Sequence, residues 1–209
     1  GSSLNRYDNT TLARFHRVSA IEGWICSVLS LHSSPMSTDQ ISLRPAVADD
    51  ADIIFQMISD LADYLQLEDH LESCPDDFRR HLSGNPPTLH GLIAERGGAP
   101  VGLSLFFPSF SSWRGAQGVY IQDLYVVPDL RAGGLGKRIL IEVLRTAYAL
   151  WGAEYLRLAV SESNMDGQGF YERLGMGWAS DERIFAIDGA DLVSLRESPG
   201  KLRRENDDG

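Results

Sequence analysis

The sequence predicts an α/β (α+β) domain with a central mixed β-sheet flanked by helices. Three observations predict it: an average globular composition, alternating strand and helix periodicity after residue 40, and a glycine-rich segment between a strand and a helix. The chain has 209 residues, of which 43% are hydrophobic and 23% charged, as expected for one globular core with extensions. No apolar run approaches the roughly 18 residues of a membrane-spanning helix, so we expect no membrane partner.

The charge of the chain disfavours nucleic acid as a partner. Residues 39–195 contain 12 basic and 23 acidic side chains, a net charge of −11. Such a surface repels phosphate backbones and attracts small cations, although acidity that only promotes solubility explains it equally well. Two cysteines without C-x-x-C spacing fit a reducing cytoplasm, and the five histidines show no metal-ligand spacing. We therefore expect a cytoplasmic protein without a metal.

Both ends of the chain differ from its middle. We expect residues 1–38 to be a peripheral leader, since Gly1-Ser2-Ser3 is typical of what an expression tag leaves behind. A signal peptide is the alternative, but Glu22 interrupts the apolar segment and no A-x-A site follows. Residues 196–209 have mixed charge and little to bury, which predicts a disordered tail. The folded domain is then 39–195.

The first elements of this domain are a strand and two helices. Ile41–Pro45 alternates like a short strand that proline ends, and Asp49-Asp50 then offers a helix cap. Pro75 begins a second short helix that extends through Leu82. The first helix is predicted by apolar residues at helical spacing, namely Ile53, Ile54, Met57, Ile58, Leu61 and Leu65.

Three strands follow. Residues 89–95 and 101–107 read as an antiparallel hairpin around the turn at Arg96–Ala99. A further turn at Trp113-Arg114-Gly115 leads to residues 119–127, which are rich in β-branched and aromatic side chains and therefore predict a strand. Pro128 ends that strand.

The segment Arg131-Ala-Gly-Gly-Leu-Gly136 lies between this strand and an amphipathic helix that includes Ile139, Leu140, Val143, Leu144 and Ala147. Free N–H groups and the positive dipole at a helix start bind phosphate, and glycine lets the anion approach. The spacing matches neither G-x-x-x-x-G-K-S/T nor G-x-G-x-x-G. A glycine turn without a ligand remains the alternative interpretation.

The same segment resembles a family motif. Arg131-x-x-Gly134-x-Gly136 after Tyr120-Ile-Gln-Asp-Leu-Tyr-Val-Val-Pro128 is similar to the acyl-CoA signature Gln/Arg-x-x-Gly-x-Gly/Ala of the GNAT superfamily of N-acetyltransferases. The resemblance extends from Ile41 to about Leu195, and residues 113–115, 120–126 and 169–175 are most like the spermidine/spermine and thialysine N-acetyltransferase branch. It implies a mixed seven-stranded sheet whose fourth and fifth strands, here residues 119–127 and 155–160, splay apart.

The resemblance also implies a site for acetyl-CoA as co-substrate. Main-chain N–H groups of the fourth strand would polarise the thioester, the glycine segment would hold the pyrophosphate, and residues after the fifth strand would contact the other flank. The implied ligands are Leu124, Tyr125, Val126, Arg131, Ala132, Gly133, Gly134, Leu135, Gly136, Lys137, Asn164, Met165, Asp166 and Gly167.

For the chemistry, the resemblance implies that Tyr171 is the general acid toward the coenzyme A sulfur. Polyamine-acetylating relatives carry glutamate at the position of Gln122, and an amide can orient a substrate but cannot accept a proton. Asp123 can take that role only if the strand bulges, because neighbouring strand residues point to opposite faces; a water chain is the alternative. The other substrate-binding candidates are Tyr64 and Trp113.

We therefore expect direct acetyl transfer to the primary amine of a small molecule, an amino acid or a diamine. Two acidic positions that hold polyamine nitrogens in the relatives correspond to Leu65 and Ser111, which disfavours a long polyamine. Polyamine acetylation, acetylation of peptide N-termini and a non-catalytic CoA-binding sensor remain alternatives. By resemblance alone we expect a homodimer, with an apolar strand at residues 183–187 as a contact.

Overall fold

The computed structural model describes residues 40–179 and 183–197. They belong to two compact units, one ending at Ala159 and the other beginning at Val160. The predicted leader, residues 1–38, and the part of the predicted tail after residue 197 lie outside the described residues. Every helix within the described ranges is too short or too polar to span a bilayer.

The first unit is built around a five-stranded sheet in the order β1-β2-β3-β4-β5, in which only the β4–β5 pair is parallel. Its elements are β1 (Ile41–Pro45), α1 (Ala51–Leu65), α2 (Pro75–Leu82), β2 (His90–Arg96), β3 (Ala99–Ser111), β4 (Ala116–Val126), α3 (Leu135–Trp151) and β5 (Leu156–Leu158), with short 3-10 helices at Ala48–Asp50, Glu68–His70 and Pro128–Leu130. The second unit contains α4 (Met165–Arg173) and α5 (Gly189–Glu197).

The predicted fold class is confirmed, and each strand and helix predicted between residues 41 and 147 is present. Their ends differ by a few residues. The largest difference is β3, which continues past Phe107 to Ser111 because these extra residues pair with the start of β4. Such cross-strand pairing is not visible in the local hydrophobic pattern of either strand.

Helices cover the two faces of the sheet. Leu103, Leu105 and Tyr125 share a buried cluster with Ile54 of α1 and Phe78 of α2. The other face is covered by α3: a Cβ atom added at Gly102, the neighbour of Leu103, would lie 2.9 Å from the Ile139 side chain. Because neighbouring strand residues point to opposite faces, α1 and α2 lie on one side of the sheet and α3 lies on the other.

Two details of the family fold differ from expectation. The sheet has five strands in the described part of the chain, and the fifth covers Leu156–Leu158 instead of residues 155–160. The strand predicted at residues 183–187 is wrong, because this segment has no regular secondary structure and its Ile184 and Phe185 are 83% and 92% exposed. An alternating pattern forms a strand only where a neighbouring strand supplies hydrogen bonds and a face to cover it.

An ion-pair network ties β1 to the start of α1. Arg44 donates two hydrogen bonds to the Asp50 carboxylate, at 2.7 and 2.8 Å, and a third to Glu95 on β2 at 2.9 Å. The same Asp50 carboxylate accepts the Val47 N–H at 2.8 Å. The Arg44 hydrogen bonds lower the pKa of Asp50 below its ordinary value of 3.8, so the network favours the ionised carboxylate.

We expect Asp50→Asn to lower the free energy of unfolding by about 2–3 kcal/mol, because it leaves part of a largely buried ion pair uncompensated. Since the folded state lowers the pKa of Asp50, this contribution is complete above the ordinary pKa and is lost as the pH falls through the lowered one. Urea unfolding at pH 7 and in acid measures both effects.

Asp52→Asn is the matched control, since Asp52 lies on the same helix but its side chain is 76% exposed and 3.4 Å from Arg79. We expect it to cost less than about 0.5 kcal/mol. Equal losses for the two variants would show that the Arg44 network adds nothing beyond an exposed pair.

Candidate active site

The pairing between β4 and β5 ends halfway along β4. The two strands pair only at residues 119–121 with 156–158, whereas β4 continues to Val126 on its β3 side. Residues 122–126 therefore present an edge toward which β5 does not extend. This opening agrees with the splayed fourth and fifth strands expected from the family resemblance.

The register of β4 on β3 determines which main-chain groups point into this opening. The Val127 N–H donates to the Val101 carbonyl at 3.1 Å, and hydrogen-bonded pairs alternate with non-bonded pairs in an antiparallel ladder. Tyr125, opposite Leu103, is thus a bonded pair, while Leu124 and Val126 direct their N–H and C=O groups away from β3. Of the three predicted main-chain ligands, the geometry favours Leu124 and Val126 over Tyr125.

A β-bulge interrupts β4 at Gln122. Ile121 pairs with Phe106 and Asp123 pairs with Leu105, so Gln122 is an extra residue without a partner on β3. Directly opposed residues share a face of the sheet, which places Asp123 with Leu105 on the face covered by α1 and α2. The bulge that the sequence analysis required for Asp123 to replace its neighbour is therefore present.

The glycine-rich segment forms the start of α3. Ala132 and Gly134 are both in the left-handed region, with φ values of 64° and 82°, and the first helical bond joins the Arg138 N–H to the Gly134 carbonyl at 3.1 Å. The N–H groups of the preceding residues have no acceptor within the helix. A Cβ atom added at Gly134 would meet nothing within 4 Å, so these donors border open space, as a pyrophosphate site requires.

The Arg131 side chain contacts both β4 and α1. Its Nε donates to the Val126 carbonyl at 2.9 Å, and its guanidinium lies 4.0 Å from the centre of the Tyr64 ring. The guanidinium therefore joins the end of β4 to α1. Because the outward carbonyl of Val126 already accepts this bond, it is less available as an acceptor for a ligand than an unbonded carbonyl would be.

The Asp123 carboxyl group is half-buried. Burial raises its pKa from an ordinary 3.8 to about 6. The neighbouring Gln122 side chain is exposed. These two predicted site residues therefore lie together at the point where the β4 edge opens.

The sequence analysis did not identify Asp60 of α1 as a site residue. Its carboxylate bonds to the Tyr125 phenol, whose pKa is raised first by burial and then by the Asp60 charge. Asp60 lies four residues before Tyr64, and this i,i+4 spacing, which makes two side chains neighbours on a helix, was an available signal.

Trp113 lies far in space from Gln122 and Asp123 of the same chain. It occupies the tip of the β3–β4 hairpin and is 99% exposed. Ile121 lies five positions along β4 from Ala116, the first residue of the strand, which corresponds to about 17 Å. The structure thus does not bring Trp113 to Asp123 within one chain.

The remaining predicted site residues belong to the second unit. Asn164 is the N-cap of α4, where its side chain accepts the Gly167 N–H at 2.9 Å. Met165 and Asp166 form the first turn of the helix. Tyr171 lies near the end of α4 and its ring packs edge-on against Phe170, with centroids 5.0 Å apart.

Comparison with known proteins gives the family. Residues 54–176 match the acetyltransferase (GNAT) family. The chain is 31% identical over 176 residues to a thialysine N-epsilon-acetyltransferase of Bos taurus, covering 77% of this chain and 98% of that protein. It is 31% identical over 129 residues to an L-ornithine N5-acetyltransferase of Arabidopsis thaliana, covering 62% of this chain and 54% of that protein.

A solved structure, an integron cassette protein from V. cholerae, has the same fold, with a TM-score of 0.62 at 15% identity over 76% of this chain and 98% of that one. The chain therefore belongs to the GNAT family and is an N-acetyltransferase. Enzymes with this fold use acetyl-CoA, which agrees with the open strand edge and the exposed helix start.

The glycine segment generates a prediction with a matched control. Gly134→Ala is expected to weaken binding of coenzyme A at least tenfold, because a Cβ atom there projects into the space a phosphate needs. Gly98→Ala, in the β2–β3 turn, imposes the same backbone strain, since Gly98 has φ of 83° and also meets nothing within 4 Å. Both variants are expected to lose about 1 kcal/mol of stability.

Calorimetric titration with coenzyme A and thermal unfolding measure the two effects separately. If Gly98→Ala weakened binding as much as Gly134→Ala, the loss would come from destabilisation, and the glycine segment would not be the binding site.

Proposed function

We propose that this enzyme transfers the acetyl group of acetyl-CoA directly to the primary amine of a small amino acid or diamine. The observation that carries the proposal is the continuity of two features: the β4 edge that opens after Ile121 leads within a few residues to the start of α3. An extended pantetheine can pair with such an edge as an added strand does, while its diphosphate reaches the helix N-terminus.

In this arrangement the N–H groups of Leu124 and Val126, about 7 Å apart along the strand, would each bind one carbonyl oxygen: Leu124 that of the acyl group, and Val126 one of the pantetheine. Their alternation in the ladder supports this role, and so does the Arg131 bond that occupies the neighbouring carbonyl. Donors aimed at a developing oxyanion lower the barrier by about 3 kcal/mol each. The N–H groups of residues 132–137 would hold the diphosphate, with Lys137 adding a positive charge, and residues 164–167 are proposed for the other flank.

The acceptor is proposed to be a short molecule with a terminal amine. The relatives act on thialysine and ornithine by their names, and both names denote amino acids that carry a side-chain amine. Asp123 would bind the ammonium group, and Gln122 and Tyr64 would orient the rest of the molecule. The absence of carboxylates at Leu65 and Ser111 leaves too few partners for a long polyamine.

We propose Tyr171 as the proton donor to the departing thiolate. A phenol of pKa near 10 is protonated at neutral pH, yet it can protonate a thiolate whose conjugate acid has a pKa of roughly 8.5. Support comes from its place in Gly169-Phe-Tyr-Glu-Arg-Leu-Gly175, which resembles the family motif.

The remaining proposals concern the protein as a whole. We propose residues 39–195 as the catalytic domain, which contains the whole family match at 54–176. A cytoplasmic location and a homodimer remain proposals from composition and resemblance. In a homodimer, the exposed Trp113 could contribute to substrate binding from the hairpin of the partner.

An acceptor screen tests the function. Thiol release from acetyl-CoA is measured with thialysine, ornithine, lysine, putrescine, spermidine, spermine and a peptide with a free N-terminus. We expect kcat/KM for the best amino acid or diamine to exceed that for spermine at least tenfold. Tight binding of acetyl-CoA without turnover of any acceptor would favour the sensor, and preference for spermine or the peptide would replace the proposed acceptor.

The acid has its own test. Tyr171→Phe is expected to lower kcat about 100-fold, within the usual range for a lost general acid, with little change in acetyl-CoA binding. Tyr148→Phe is the control, since Tyr148 is 70% exposed on α3. If both variants retained wild-type kcat with the best acceptor, Tyr171 would have no role as acid.

A further inference from the structure

We infer that Asp123 accepts the proton of the acceptor amine and so fills the role that Gln122 cannot. This inference rests on the proposed function and adds a catalytic base to it. It uses the register of β4, the surroundings of the carboxyl group and the chemistry of the neighbouring amide.

The first step is the position of the side chain. Without the bulge, Asp123 would point toward α3, two residues along from Ile121. Because Gln122 is unpaired, Asp123 instead lies opposite Leu105 and on the face covered by α1 and α2. It is also only one residue from Leu124, whose N–H points into the β4 opening, so the carboxyl group borders the place proposed for the acyl group.

The second step is the lack of a competing partner. The Asp123 carboxyl group makes no hydrogen bond or ion pair with any residue in ranges 40–179 and 183–197. Within those ranges, no side-chain oxygen is both fully buried and unsatisfied, so its oxygens reach solvent. An ammonium group in the opening can therefore approach the carboxylate without breaking an existing contact.

The third step is the protonation state. Burial alone raises the pKa of Asp123 to about 6, so the group is mostly ionised at pH 7 and is a stronger base than an exposed aspartate.

Neighbouring charged groups do not explain this pKa shift. The charged side chains of α2 form their own ion pairs, and His90 of β2 stacks on the opposite face with Phe106. The titratable groups on the same face are Tyr120, Tyr125, Asp60, Tyr64 and Arg131, and none of them contributes to the shift.

The proton transfers balance as follows. The bound ammonium gives one proton to the Asp123 carboxylate, and the neutral amine forms a C–N bond to the acyl carbon while the C–S bond breaks. The nitrogen loses a second proton, and the thiolate gains one, so the net products are the amide, the free thiol and one proton. Asp123 then releases that proton to water.

The test compares Asp123→Asn, Asp123→Glu and the double variant Asp123→Asn with Gln122→Glu. With the best acceptor at saturation, kcat of the wild type is expected to fall as the pH is lowered, because the Asp123 carboxylate must be ionised in the enzyme–substrate complex. Asp123→Asn is expected to lower kcat at least 100-fold and to abolish this acidic limb. Asp123→Glu is expected to keep the limb, and the double variant to regain it together with at least tenfold of the lost rate.

Asp63→Asn serves as the control, since Asp63 is an exposed carboxylate on α1. Thermal unfolding and coenzyme A titration of each variant separate folding and cofactor binding from chemistry. If Asp123→Asn raises KM for the amine while kcat and the acidic limb persist, Asp123 only binds substrate and the inference is wrong. Failure of the wild type to acetylate any amine would instead overturn the proposed function.

Discussion

The alternation of hydrogen bonds along β4 is the constraint on which the site depends. An antiparallel ladder uses every second residue of a strand for one neighbour and directs the others to the opposite side. The main-chain groups of Tyr125 on β4 are hydrogen-bonded to β3, and the pairing of β4 with the parallel strand β5 ends at Ile121. Two consecutive outward positions, Leu124 and Val126, are therefore left for a ligand that can pair as a strand does.

Arg131 makes two contacts at the end of the same edge. Its Nε occupies the outward carbonyl of Val126, and its guanidinium stacks on Tyr64 at 4.0 Å. One side chain thereby connects the end of the open β4 edge to helix α1. An argininium suits both contacts because it donates in a fixed plane and stacks on an aromatic ring.

The bulge at Gln122 interrupts the hydrogen-bond ladder between β3 and β4 and changes the face of the sheet to which the next side chain points. Bulges often lie next to active sites for this reason. Here the break moves Asp123 from the α3 face to the α1 face. The resulting enclosure raises its pKa to about 6, which suits a group that must hold and release a proton near neutral pH.

Much of the fold could be predicted from the sequence because its signals are local. The proline after β1, the alternation in β2 and β3 and the helical spacing after Gly136 depend on residues a few positions apart. The length of β3, the shortness of β5 and the absence of a strand at residues 183–187 depend on which segments find partners, and a hydrophobic pattern does not contain that information.

The site divides in the same way. The sequence alone determined the glycine spacing of residues 131–136 and the amide at Gln122, which cannot accept a proton, because residue type and spacing are properties of the chain itself. Only the tertiary structure decided that Arg131 bonds to Val126, that Asp60 reaches Tyr125 and that Asp123 shares a face with Leu105. Each of these contacts depends on strand register, which is set by pairing between distant parts of the chain.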